Sequence, residues 1–273
     1  MKGALLYEWN RITSVRSTYW LSGIALGLSA CIAFFISVGF NSSNFTSDGV
    51  SNYLQASTLV VTAGGSVFIV PVLSAPFCGV IGAMAFGHEY RYGTIKQTLT
   101  AIPDRVHVFV GKLLILIGWL LGLMIAIVLV NAALGVLFLD SFTVSGPMVR
   151  PVVDFALYNV AFGIAGFAWA AMLRNLAGAL IAVLVYPFVI EPIAFNVVRL
   201  VHIGNFGRLA NLMPAAAGRR TLFSPYELFA NPLADSSGRI VHVWGVAAST
   251  VVLWSGVVLV LVVALTFFLR RDA

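Results

Sequence analysis

Residues 113–139 read LLILIGWLLGLMIAIVLVNAALGVLFL, without a single Asp, Glu, Lys or Arg. Residues 240–269 form a second stretch that lacks all four of these residue types. An α-helix needs about 20 mainly apolar residues to cross the ~30 Å hydrocarbon core of a bilayer. Both stretches are longer than that, so each predicts a helix that spans a membrane.

The composition of the whole chain agrees with this prediction. Of its 273 residues, 60% are hydrophobic and 10% are charged, and the mean hydropathy is +0.98. Soluble domains carry roughly 25% charged residues, so the composition excludes an ordinary soluble domain. The net charge of +6 comes from basic residues scattered at the ends of apolar segments. That distribution favours contact with anionic lipid and argues against a nucleic-acid partner.

Six apolar segments predict six membrane spans, at 19–40, 63–87, 110–138, 153–173, 177–197 and 243–269. Backbone amides in hydrocarbon must be hydrogen-bonded internally, and the ~10-residue alternating segments of a membrane barrel are missing, so the spans are predicted to be helices. We therefore expect an all-α polytopic membrane protein, with a single transmembrane domain over 1–273. Pro71 and Pro76 predict a kink in the second span.

The basic residues of the short connections predict the orientation, because Lys and Arg are enriched on the cytoplasmic side. They predict a plasma-membrane protein with both termini in the cytoplasm. The basic residues on which this orientation rests are Lys2, Arg11, Arg16, Arg91, Lys96, Arg105, Lys112, Arg174, Arg270 and Arg271. The connection 198–242 must then lie outside, although it carries five arginines. It is long for a structureless loop, which predicts short interfacial or re-entrant helices within it.

Residues 1–18 predict a helix that lies in the plane of the headgroups. Leu5, Trp9 and Ile12 recur at helical spacing, while Glu8 and Arg11 fall on other faces. Such a pattern is typical of interfacial amphipathic helices. The alternative, that these residues begin a longer first span, stays open from the sequence.

The most charged part of the chain connects the second and third spans. Gly93-Thr94 predicts a turn followed by a helix-capping hydroxyl, Ile95 and Leu99 lie one helical turn apart, and Pro103 ends the helix. The second span should therefore end in a polar turn and a short amphipathic helix. A connector of this kind can bind a cytosolic protein while it is rigidly joined to two membrane helices.

Few polar side chains lie within the spans. Glu191 falls roughly 24 Å along the fifth span, counted from Asn175 at ~1.5 Å per residue, where a carboxylate either lines a pathway or meets the headgroups. Asn131 and Asn159 are more typical of contacts between helices than of ion binding. Cys31 and Cys78 lie in apolar segments and are predicted to be reduced, and no metal-binding spacing occurs.

Glu89, Gly93-Thr94, Leu99, Pro103, Arg105 and Lys112 follow one another in the order E, GT, L, P, R, K. In this pattern the chain resembles bacterial ABC (ATP-binding cassette) type-2 permeases, most of all small drug- or antibiotic-exporting members. Residues 1–18 are similar to the elbow helix of that family, and Leu212-Met213-Pro214 before the last span is similar as well. The similarity covers the chain in length, number of spans and placement of loops.

The resemblance implies a transmembrane subunit that pairs with a second copy or a related permease, and with two cytosolic ATPase subunits that bind ATP and magnesium. Residues 89–105 would be the coupling helix that fits a groove of the ATPase, with Glu89 helping to anchor it. The implied coupling residues are Glu89, Gly93, Thr94, Leu99, Pro103 and Arg105. The implied cargo is hydrophobic or amphiphilic: a drug, antibiotic, peptide or lipid.

Two other functions agree less well with the sequence. An autonomous secondary transporter or channel usually buries ionisable residues near mid-membrane, and here only Glu191 is a candidate. A membrane enzyme is not predicted, because the chain has no Gly-x-Ser-x-Gly motif and its four histidines fall in loops or at span edges. It also lacks the phosphate-binding Gly-x-x-x-x-Gly-Lys-Ser/Thr motif, so ATP hydrolysis is expected in a partner chain.

Overall fold

The computed structural model describes residues 2–42, 50–63, 73–140, 142–200, 212–223 and 244–270. The regular elements in these ranges are all helical, which confirms the predicted all-α class. A 3₁₀ turn at Gly146–Met148 precedes α7, and a π turn at Tyr186–Ile190 joins α8 to α9. The α-helices are α1 Lys2–Ser14, α2 Arg16–Ser42, α3 Val50–Val61, α4 Ser74–Tyr92, α5 Ile95–Ala101, α6 Arg105–Phe138, α7 Val149–Leu173, α8 Leu176–Val185, α9 Glu191–Leu200, α10 Pro214–Phe223 and α11 Val246–Arg270.

Five helical stretches in the described ranges are long and apolar enough to cross a membrane: Arg16–Asn41, Arg105–Phe138, Gly146–Leu173, Leu176–Ala194 and Val246–Arg270. They coincide with five of the six predicted spans and show a multi-pass membrane protein. The predicted span 63–87 is the exception. Residues 64–72 lie outside the described part. Residues 74–87 belong to α4, which continues to Tyr92 and includes the charged residues Glu89 and Arg91.

The kink predicted at Pro76 is wrong, and Pro71 lies outside the described residues. Pro76 stands in the first turn of α4, which begins at Ser74. Amides in the first turn of a helix have no intrahelical acceptor, so a proline there removes no hydrogen bond.

The centre of the fold is the contact between α4 and α7, where glycines let the two backbones approach closely. A Cβ atom added to Gly82 would lie 1.9 Å from the carbonyl oxygen of Gly163, and one added to Gly166 would lie 2.0 Å from that of Gly79. Small residues at helix contacts are the usual basis of close packing in membranes. The main core cluster surrounds this contact, and α6, α8 and α11 also contribute to it.

Two short helices, α1 and α10, pack beside the long spans. The non-helical residue Val15 separates α1 from α2, so α1 is a distinct helix and does not begin the first span. It exposes Leu6 and Trp9 and buries Ile12 and Glu8. α10, within the predicted external segment 198–242, packs against α11 and α7, which agrees with a short helix there.

Candidate coupling site

The turn after α4 forms as the sequence predicts, with one difference. Gly93 has a φ of +70° and ends α4, a left-handed conformation that glycine adopts without steric cost. Thr94 precedes α5, but its hydroxyl does not cap the helix, because its backbone is already helical and cannot aim the side chain at the free amides. Its carbonyl oxygen accepts from the Thr98 amide at 3.1 Å instead. The predicted capping hydroxyl is therefore wrong.

Asp104 provides the cap that sequence reasoning missed. Its Oδ1 accepts hydrogen bonds from the amides of Val106 at 2.9 Å and His107 at 3.3 Å, at the start of α6. The signal was present, since an Asp after Pro103 and before a long apolar helix is a typical N-cap. The cap sets the direction in which α6 leaves the turn.

The short helix α5 has one packed side and one open side. Ile95 and Thr98 are buried, and Leu99 packs against the main core. The Thr98 hydroxyl lies 3.3 Å from the hydroxyl of Tyr7, which ties α5 to α1. The open side carries Lys96, Gln97, Thr100 and Ala101. α5 is thus fixed to the protein through its packed side, and its open side is a mainly polar surface.

Behind this turn, three helices meet at a buried cluster of four charges. The Lys112 ammonium group on α6 donates to Oε1 of Glu8 on α1 and to Oε1 of Glu89 on α4, each at 2.5 Å. Arg11 on α1 lies 2.7 Å from Oε2 of Glu8 and 3.7 Å from Glu89. Lys112, Glu8 and Glu89 are each at most 3% exposed. The cluster is neutral, and it joins the ends of α1, α4 and α6.

Aromatic rings close the cluster on its core side. The Lys112 ammonium group lies 5.4 Å from the centroid of the Phe86 ring, within the range of a cation–π contact. Phe86 in turn contacts Phe109, Phe167 and Phe268, so the charges are shielded from water. The carboxylate of Glu89 is therefore buried inside the protein, and the anchoring role that the resemblance implied for it stays a prediction.

Arg105 connects the same region to the last helix. Its guanidinium group donates to the carbonyl oxygen of Phe268 at 3.3 Å, near the C-terminal end of α11. A positive charge at that end also interacts favourably with the helix dipole. Among the predicted coupling residues, Pro103 is exposed in the turn. The structure thus brings all six to one end of the molecule.

The match to known families decides what kind of protein carries this site. Residues 16–190 match the family described as ABC-2 family transporter protein. The chain belongs to the ABC-2 transporter family. No curated protein matches it. As an ABC-2 permease the chain is a membrane transport subunit, and members of this family normally work with an ATPase partner.

The three predicted pathway residues of the ABC-2 permease lie apart from one another. Asn131 donates to the Ser29 hydroxyl at 2.8 Å and to the carbonyl oxygen of Val61 at 3.2 Å, and so joins α6 to α2 and α3. Asn159 donates to the carbonyl oxygen of Phe155 within its own helix, and the Cys78 thiol lies 3.8 Å from its Oδ1. Both amides thus serve contacts within or between helices.

Glu191 of the permease is buried at the start of α9, where it caps α10. Its carboxylate accepts from the amide of Ala215 at 2.9 Å and from that of Ala216 at 3.2 Å, at the N-terminal end of α10. Carboxylates stabilise this end of a helix. Arg219 reaches back from α10 to the carbonyl oxygen of Pro187 at 2.9 Å. A second contact thus ties α10 to the same region.

Neither cysteine of the permease forms a disulfide. Cys31 and Cys78 are both free, the first exposed on α2 and the second buried. Within the ranges that the structure describes, no three His, Cys, Asp or Glu side chains come together in a way that could hold a metal ion.

Proposed function

We propose that this ABC-2 permease is the membrane subunit of an ATP-driven exporter, and that ATP and magnesium bind to two copies of a separate cytosolic ATPase. The permease would pair with a second copy of itself. Both termini, α5 and the end of α11 lie on the cytoplasmic side in this proposal. The observation that carries it is the buried charge cluster of Glu8, Arg11, Glu89 and Lys112, because it joins α1 to the ends of α4 and α6 that flank the exposed helix α5.

The open side of α5 is the proposed docking surface for the ATPase. A partner that presses on Lys96 and Gln97 meets a helix whose other side is packed against the core and hydrogen-bonded to α1. α5 cannot yield by itself, so the displacement passes to the ends of α4 and α6 on either side of it. The pair Glu89–Lys112 keeps those two ends together. In this proposal Glu89 transmits force within the permease, and α5 alone contacts the ATPase.

A partner that binds α5 with different affinity in two states of the permease can shift the permease from one state to the other. A ligand shifts such an equilibrium only by its difference in affinity for the two states. Binding of ATP changes the shape of the ATPase pair, so the ATPase supplies that difference through α5. The exported compound is proposed to be hydrophobic or amphiphilic, since the spans are lined almost wholly by apolar side chains.

The docking surface is tested by reversing one charge on it. Lys96→Glu should lower ATP-dependent export by proteoliposomes that hold permease and ATPase by about tenfold, which corresponds to ~1.4 kcal/mol of lost interaction. Arg150→Glu is the matched control, because Arg150 is a basic residue that is 66% exposed at the start of α7, far from α5. Equal export by wild type and Lys96→Glu, with the ATPase still bound, would remove α5 as the docking surface.

A second variant tests transmission apart from docking. Arg105→Ala keeps the open side of α5 intact but removes the bond to α11. The ATPase should still bind, while each ATP hydrolysed should export less. If export falls only in proportion to the amount of bound ATPase, Arg105 belongs to docking and not to transmission.

A further inference from the structure

A cavity of about 280 Å³ lies within the permease between α7, α8, α10 and α11. α7 forms its floor, α8 with the π turn and α11 form its two walls, and the start of α10 closes one end. Arg174, just before α8, lies 6.0 Å from the ring of Tyr90 near the end of α4, which places the start of α8 at the coupling end. Ala182 and Tyr186, further along the chain, therefore line the cavity from the middle of the span outward.

The lining is apolar almost throughout. Its larger side chains are Phe162, Trp169, Val183, Leu253 and Val257, and the polar side-chain atoms are only the Tyr186 hydroxyl and the indole nitrogen of Trp169. Water in a buried site needs two to four polar partners, and apolar cavities remain dry. An engineered apolar cavity of about 150 Å³ binds benzene, so one of this volume accommodates a larger hydrocarbon group.

The wall of the cavity has a gap between α8 and α11. α8 and α11 each pack against other helices, α8 against α4 and α7 and α11 against α7 and α10, but hardly against each other. Tyr186 is 40% exposed at this gap, and Leu259 on the outer face of α11 is 66% exposed. Both side chains lie on helices that are long and apolar enough to cross a membrane, so we expect this surface to face lipid tails. A hydrocarbon group can therefore enter sideways without crossing water.

We propose that this cavity binds one hydrocarbon chain of an amphiphile that reaches it from the bilayer. A hydrocarbon chain gains no hydrophobic free energy when it leaves the bilayer for an apolar cavity. The affinity comes instead from dispersion contacts with a wall that would otherwise enclose an empty space. The polar head would stay at the outer end, where Arg219 and Glu191 surround the start of α10. The site lies within a single chain, so it does not depend on the second copy. It also does not depend on the exporter assignment.

The test is photolabelling of the purified permease in lipid nanodiscs without ATPase. One arm uses a phosphatidylcholine with a diazirine in its acyl chain, and the other adds a free diazirine fatty acid. Peptides of α7, α8 and α11 that line the cavity should carry the label, as located by mass spectrometry. Labelling by the phospholipid identifies a membrane lipid as the occupant; labelling by the fatty acid alone identifies a single-chain amphiphile.

A filled cavity should lose the label. Ala182→Phe places a ring inside it and should reduce labelling of the lining peptides by about tenfold, the change that ~1.4 kcal/mol of binding free energy produces. Ile181→Phe is the matched control, because Ile181 is 62% exposed on the other face of α8. Wild-type protein whose lining peptides take up no label in either arm overturns the proposal, whether or not the variants fold. Labelling of Ala182→Phe at the wild-type level overturns it too.

Discussion

Replacement of Lys112 by Met is the sharpest test of the buried charge cluster. Methionine has nearly the length of the lysine side chain and can occupy the same space beside Phe86. It removes the cation that lies 2.5 Å from both Glu8 and Glu89, and leaves two buried carboxylates that share the single charge of Arg11. The variant therefore separates loss of charge from loss of packing.

The expected cost follows from the burial of the cluster. Removal of one member of a buried ion pair costs about 3–5 kcal/mol, because the remaining charge stays buried without compensation. For a chain of this size each kcal/mol lowers Tm by about 2–4 °C, so Lys112→Met should lower Tm by roughly 6–20 °C. Arg150 is 66% exposed and lies 3.8 Å from the partly buried Asp154, and Arg150→Met should cost only about 0.2–1 kcal/mol.

Thermal unfolding in detergent, followed by tryptophan fluorescence, measures both variants against wild type. The double variant Glu89→Gln with Lys112→Met should recover part of the loss, since it removes one unpaired carboxylate. Coupling between residues in direct contact is about 0.5–3 kcal/mol. A Tm for Lys112→Met within the range of Arg150→Met, or strict additivity in the double variant, would refute the cluster as a mechanical joint between α1, α4 and α6.

Three further predictions concern the packing and the caps. Gly82→Ala should destabilise the permease by about 1–3 kcal/mol in the same unfolding assay, because its new methyl group meets the backbone of Gly163. Gly118→Ala is the control and should be neutral or stabilising, because its Cβ meets nothing within 4 Å. Equal losses of stability in the two variants would contradict the close contact. Glu191→Ala should cost about 1–3 kcal/mol of stability for each α10 amide left without an acceptor, whereas Glu191→Gln keeps one acceptor oxygen and should lose less stability. Export at the wild-type level by Glu191→Gln would also contradict a role of Glu191 in the transport pathway. Hydrogen bonds from the His107 amide and ring hold the pKa of Asp104 below its ordinary 3.8. The stability difference between wild type and Asp104→Ala should therefore be present above that pH and disappear as the pH falls through the lowered pKa. A difference that persists at strongly acidic pH would show that the carboxylate charge does not contribute.

The helical class and the turn at Gly93 could be predicted because each depends on local sequence. Runs without charge have one stable form in hydrocarbon, and a glycine before a short amphipathic stretch that ends at Pro103 has few alternatives. The cap at Asp104 was also local, and it was missed only because the prediction placed the start of the third span at residue 110.

The charge cluster could not be predicted, because it joins residues far apart in the chain. Glu8 and Lys112 are separated by 104 positions, and periodicity gives the face of each helix but not its neighbour. A partial signal existed: Glu89 and Lys112 stand where two helices meet the membrane, and charges there need partners. The capping of α10 by Glu191 is of the same kind, since it requires the chain to return from the end of α9.

The close contact of α4 and α7 has a consequence for where the permease can open. Carbonyl oxygens that touch glycine backbones leave no room for one helix to slide or turn against the other, so any tilt of α4 must be copied by α7. Rearrangement is then confined to the seams where side chains, and not backbones, meet, such as the gap between α8 and α11. If α4 and α7 move together, a force applied at the proposed ATPase-binding end would reach the opposite membrane face with little loss.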